Sequence, residues 1–198
     1  MLTALGGQQA VDWIHQQNEL AETREALREE IAQNSALLAV GAATDRCRLA
    51  LYEKYVDWAR GGPQPERAPT LGVPTLIFSA WEVAKAGPLS KMPVRERLSY
   101  SQVYQHLVAQ QANIAREVEG GLAFAQYFGL EQLNPDQAQR VLELNGAARI
   151  LVAGKDRVAS DFLNDVQTLG IPPEPVSESR RQLLNAICQA AGMPTPAL

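Results

Sequence analysis

The chain of 198 residues carries 18 Lys and Arg against 22 Asp and Glu, a net charge of −4, and 46% hydrophobic residues. That length suits one domain burying about 70% of its unfolded surface, and an ordinary apolar fraction with a small net charge excludes a disordered chain. The absence of a Lys/Arg block argues against a nucleic-acid partner, and only two His and two Cys leave few ligands for zinc or iron, so no metal and no cofactor is expected.

The longest stretch free of Asp, Glu, Lys and Arg, residues 98–115, contains Gln102, Gln105, His106, Gln110, Gln111 and Asn113. That is too polar for a lipid-facing helix of about 20 apolar residues. The start of the chain shows neither a basic region nor an apolar run long enough for a signal peptide.

Proline and glycine divide the rest. The first break runs from Gly61-Gly-Pro-Gln-Pro65 through Pro69, Gly72 and Pro74. Others follow at Gly87-Pro88, at Pro93, from Gly129 to Pro135, and at Gly170-Ile-Pro-Pro-Glu-Pro175. Between them the period is helical, and the alternation that marks strands is missing. The fold class is therefore all-α.

In residues 8–59, Leu20, Leu27, Ile31 and Leu38 share one helix stripe, and Leu49, Tyr52 and Val56 continue it. Gly41 weakens the middle, and Thr44 or Asp45 could cap a restart, so the segment reads as one kinked helix or as two. A short apolar segment follows at 75–86, with Leu76, Ile77, Phe78 and Trp81.

A third segment, 93–128, opens on Pro93 near its first turn. Tyr104, Leu107, Ile114, Val118 and Ala125 form its seam, with Gln111 on it and Leu122 beside it. Gly120-Gly121 would permit close approach of a neighbouring helix, at a cost of about 1 kcal/mol each in helix propensity.

The fourth segment starts at Asn134-Pro135-Asp136, an N-cap before a helical proline, and ends at Gly170. Val141, Ala148, Val152, Ala159, Phe162, Val166 and Leu169 are its inner stripe. A last helix runs between Ser177 and Gly192, with Leu183, Leu184 and Ile187 inward. Segments some 35 residues long span about 50 Å, which predicts an elongated antiparallel helical bundle with short accessory helices.

Residues with chemical potential are sparse. Gly146 to Gly154-Lys155 superficially suggests a phosphate loop, but no Ser or Thr follows Lys155 and the segment reads as mid-helix. His15 and His106 have no partner at metal-ligand spacing, so His15 is expected at the surface and His106 beside the tyrosine-bearing stripe. Glu29-Glu30 and Glu117/Glu119 read as solvated helix faces. No catalytic constellation stands out, and no enzyme activity is expected.

Phe78, Trp81, Tyr100 and Tyr104 either fill a helix junction or line an apolar pocket. Asn34, one heptad after Leu27, sets a helix register or lies at an exposed edge. Cys47 and Cys188, 141 residues apart, are unrelated small hydrophobes in a reducing compartment, or a bridge in an oxidising one.

The run Gly7-Gln-Gln-Ala-Val-Asp-Trp-Ile-His15 leads into Arg28-Glu-Glu-Ile-Ala-Gln-Asn34; Cys47 follows, and Val94-Arg-Glu-Arg-Leu-Ser-Tyr100 precedes Tyr104. Together these resemble a group of uncharacterised proteobacterial envelope proteins, in which one N-terminal span enters a long amphipathic helix. The resemblance implies that residues 1–14 are the remnant of a membrane anchor and 15–198 a single helical domain. It places the domain on the periplasmic side of a bacterial inner membrane, the alternative being cytoplasmic, and favours a Cys47–Cys188 bridge. The expected function is a non-enzymatic, envelope-associated module for protein–protein or self-association. The alternative is a ligand-binding or sensory bundle with a pocket near Trp81, Tyr100 and Tyr104.

Overall fold

The computed structural model describes residues 2–66 and 74–196, without the side chains of residues 2–7, 9 and 10. Met1 and the expected breaks at Pro69 and Gly72 lie outside the described residues, as do most side chains of the expected anchor remnant. Among the described residues there are six helices and no strand: α1 (Leu2–Ala59), α2 (Ser79–Lys85), α3 (Pro88–Lys91), α4 (Val94–Ala125), α5 (Pro135–Thr168) and α6 (Glu178–Ala191). The all-α expectation holds, and none of these helices is long and apolar enough to cross a membrane.

The first segment is one helix of 58 residues, about 87 Å long at 1.5 Å per residue. It continues through Gly41, where Pro74 packs with its Cγ 3.6 Å from where a Cβ would sit, an ordinary contact distance. Thr44 and Asp45 do not cap a restart. The Thr44 hydroxyl donates to the Val40 carbonyl one turn back (2.8 Å), and Asp45 is buried in mid-helix.

The chain then returns along α1 as an extended stretch. Asn34 holds it there: its amide donates to the Ile77 carbonyl (2.8 Å) and accepts from the Ile77 N–H (2.9 Å). Asn34 is thus a buried polar residue that pins the returning chain against α1. Because the return covers the distance without a long helix, α4 runs in the same direction as α1, with Arg24 meeting Glu96 and Tyr52 stacking on Phe124.

α5 comes back antiparallel to both long helices, Asp165 lying beside Gln102 and Asn145 beside Glu53. Its start is a capping box between Asn134 and Gln137, with Pro135 in the first turn. Its end carries Gly170 at φ +63°, and the Arg28 guanidinium donates to the Leu169 and Gly170 carbonyls, satisfying and neutralising the carboxyl end of the helix. α6 then runs alongside α1 and stops at Gly192, in the left-handed region.

The buried rows of α4 are 100/107/114/121 and 103/110/117/124. The second contains Gln110 and Glu117, and these polar members hide it from a hydrophobic pattern. Val118 and Ala125, expected on the seam, are only half-buried, and Leu122 is exposed.

Candidate functional site

The two cysteines meet. Cys47 and Cys188 form a disulfide with a Cα separation of 4.9 Å, closing a sequence separation of 141 residues. The bond sits in an apolar cluster with Ala43, Leu51, Leu184, Ile187 and Ala191 and holds α6 against α1.

Phe78, Trp81, Tyr100 and Tyr104 also come together, as packed core. Trp81 stacks on Tyr104 at 4.3 Å between centroids and Phe78 tilts against it at 6.5 Å. These side chains join Leu27, Ile31, Leu107 and Phe162 in the largest apolar cluster. None of the four lines a cavity described below.

Glu30 stands behind this junction, buried rather than solvated as its sequence neighbourhood implies. Its carboxylate accepts from the Ser79 hydroxyl (3.0 Å), the Ala80 N–H (2.7 Å), the Trp81 N–H (3.1 Å) and the Tyr104 hydroxyl (2.7 Å). It therefore satisfies orphan donors at the start of α2. Burial and the adjacent Glu30 push the Tyr104 phenol far above its ordinary range. Glu29, one residue away, is exposed, as expected.

A second buried polar group lies two-thirds of the way along the bundle. Asp45 and Arg48 of α1, Glu117 of α4 and Lys155 of α5 are all buried. The Arg48 guanidinium meets Asp45 (3.3 Å) and Glu117, and the Lys155 ammonium meets Asp45 (2.6 Å) and Glu117. Each acid touches both bases, so the four form a closed ring of zero net charge joining three helices. Burial lowers Lys155 below the ordinary lysine value, against the pull of Asp45, and raises the nearby Asp156 carboxyl. The expectation of a solvated face at Glu117 is corrected, while Glu119 is exposed. A ring of this kind adds little net stability over apolar packing, yet removing one member strands its partners.

The sequence carries a signal of this burial: Lys155 falls on the Val152/Ala159 stripe and Glu117 beside Ile114 and Gly121. A charge inside an apolar stripe on several helices at once marks buried partners. Lys155 is mid-helix, in agreement with the rejection of a phosphate loop.

Beside this ring opens a cavity of about 390 Å³ between α1, α4 and α5. Its walls include Leu49, Tyr52, Arg116, Gly120, Ala148 and Leu151. Ala148 and Gly120 are small enough to leave the space, and a Cβ at Gly120 would meet nothing within 4 Å. Gly120 does not serve close helix contact, although a mid-helix glycine costs about 1 kcal/mol. The Tyr52 hydroxyl is buried without a hydrogen-bond partner among the described residues, a further cost of about 1–3 kcal/mol. Burial pushes its pKa up.

His15 is exposed, as expected, and His106 lies 3.1 Å from Asp165. Among the described residues no group of three or more His, Cys, Asp or Glu is placed to hold a metal.

The free end of α1 is the remaining feature. Leu20 is the first buried side chain of the helix, and the Glu19–Lys91 ion pair (2.6 Å) is the first tie to the bundle among the described residues. Every described side chain from 8 to 18 is exposed. Val11, Trp13 and Ile14 stand at 52%, 63% and 50% exposure. Trp13 lies one heptad before Leu20 and two before Leu27, so the stripe that the bundle covers from Leu20 onward continues bare on this overhang of about 25 Å.

Comparison with known protein families, with characterised proteins and with solved structures finds no match to this chain.

Proposed function

We propose that the chain is a non-enzymatic, envelope-associated helical module that acts by association with another protein, in the simplest case a second copy of itself. The observation that carries this reading is the bare continuation of the α1 stripe at Trp13, with Ile14 exposed one residue beside it. An apolar helix face outside the fold loses free energy to water until a second helix covers it. The overhang is short, so the contact is small beside the 1,200–2,000 Å² or so of a standard interface, and the association is weak.

The disulfide supports an oxidising compartment, since such bonds are rare in a reducing cytosol. With the resemblance to envelope proteins, it favours the periplasmic side of a bacterial inner membrane, tethered through the N-terminal segment. A cytoplasmic location is the alternative reading.

Sedimentation of the full chain over a wide concentration range tests association. A concentration-dependent dimer is expected. Trp13→Glu should weaken it about tenfold, the effect of about 1.4 kcal/mol, without lowering the unfolding midpoint. A chain that stays monomeric at its solubility limit, or a dimer indifferent to Trp13→Glu, would refute self-association by the overhang.

A further inference from the structure

The geometry points to a second, separate site: the cavity between α1, α4 and α5 binds an apolar monocarboxylate, with Arg116 holding the carboxylate and Tyr52 donating to its oxygen. This inference stands whether or not the chain self-associates, because the overhang is at the other end of α1.

Four observations carry it. The cavity, at about 390 Å³, falls in the range of small-molecule sites, about 300–1,000 Å³. Its walls are chiefly Leu, Ala, Ile and Val side chains with the Tyr52 ring, so the body of a ligand must be apolar.

Outside the buried ion-pair ring, the polar side chains on its walls are Tyr52 and Arg116, and both can donate. The Tyr52 hydroxyl is buried and unpartnered among the described residues, and Tyr52 itself is only 3% exposed. The Arg116 guanidinium is exposed at the rim, has only a long hydrogen bond to Asn113 (3.4 Å), and makes no ion pair among the described residues. The acidic side chains on the wall, Asp45 and Glu117, are closed by Arg48 and Lys155. The charge left over is positive, and a matching ligand is an acceptor and an anion.

Gly120 supplies the last observation. A glycine inside α4 weakens the helix, and here it makes room for no neighbouring protein atom within 4 Å. Its one structural consequence is the volume of the cavity. The free protein therefore carries two unfavourable features, a glycine and an unsatisfied buried hydroxyl, that an occupant of this chemistry would offset.

Calorimetric titration of the intact, disulfide-bonded chain with decanoate tests this, with decanol and decyltrimethylammonium as uncharged and cationic counterparts. Saturable binding of decanoate is expected, at least tenfold tighter than of either counterpart. Arg116→Gln should weaken decanoate about tenfold and leave decanol unchanged, the loss of one charge-assisted contact. Tyr52→Phe should weaken decanoate several-fold. Gly120→Leu should abolish binding while raising the unfolding midpoint. Should that variant fail to fold, Gly120→Ala, which removes less volume, and Arg116→Gln carry the test. No saturable binding of decanoate, decanol bound as tightly, or affinity untouched by filling at Gly120 overturns the proposal.

Discussion

Replacing Glu30 by alanine removes the one acceptor shared by the start of α2 and the aromatic junction. Four donors lose their partner. The Ser79 hydroxyl is exposed and the Ala80 N–H half-exposed, so both return to water, whereas the Trp81 N–H and the Tyr104 hydroxyl remain buried. An unmet buried donor costs about 1–3 kcal/mol. Two of them, with the lost packing of the side chain, put the destabilisation at about 3–5 kcal/mol. Glu29→Ala, at an exposed position next to it, should stay within about 0.5 kcal/mol. Urea unfolding followed by tryptophan fluorescence, with the disulfide intact, measures both. A double-mutant cycle with Tyr104→Phe should return a coupling of about 1–2 kcal/mol. A loss below about 1 kcal/mol for Glu30→Ala, or equal effects at Glu29 and Glu30, would refute the account of Glu30 as the junction's acceptor.

The disulfide closes a separation of 141 residues, so Cys47→Ser with Cys188→Ser should cost about 5 kcal/mol by chain entropy. The natively produced protein should take up no alkylating agent without reductant and two labels after reduction, as read by mass; two labels at the outset would remove the support for an oxidising compartment. Alkali should destabilise the fold. Burial raises Tyr55 to about 12 and also raises Tyr52, Tyr100 and Tyr104. The folded chain therefore holds phenol protons that the unfolded chain releases from about pH 10. Stability is full below pH 10 and falls as pH rises toward 12. Absorbance at the phenolate band should lag free tyrosine and then rise together with loss of helix; an early rise with the helix intact would contradict the burial of these rings.

The parts of this fold that the sequence determined by itself are those decided within a few residues along the chain. The capping box at Asn134 and Gln137, the proline at 135, and the glycines at 170 and 192 bound their helices because each device acts on backbone groups at most four positions away. The all-α class follows for the same reason, from the period of the apolar residues. The Cys47–Cys188 pairing had only two candidates, and the resemblance to envelope proteins favoured it.

What only the tertiary structure decided depends on groups far apart in sequence. That α1 runs unbroken through Gly41 is a fact of the folded chain, and whether Asn34 was buried turned on the Ile77 backbone. Glu30 and Asp45 resemble solvated charges on amphipathic helices until their partners arrive from other elements, and the stripe positions of Glu117 and Lys155 do not say which groups they meet. A carboxylate is buried only where donors or cations replace its water, and nothing local to Glu30 announces Tyr104, 74 positions on. The cavity was hidden for the converse reason. Gly120 reads as permitting close contact between helices and Ala148 as core, and only the spacing of three long helices turns them into space.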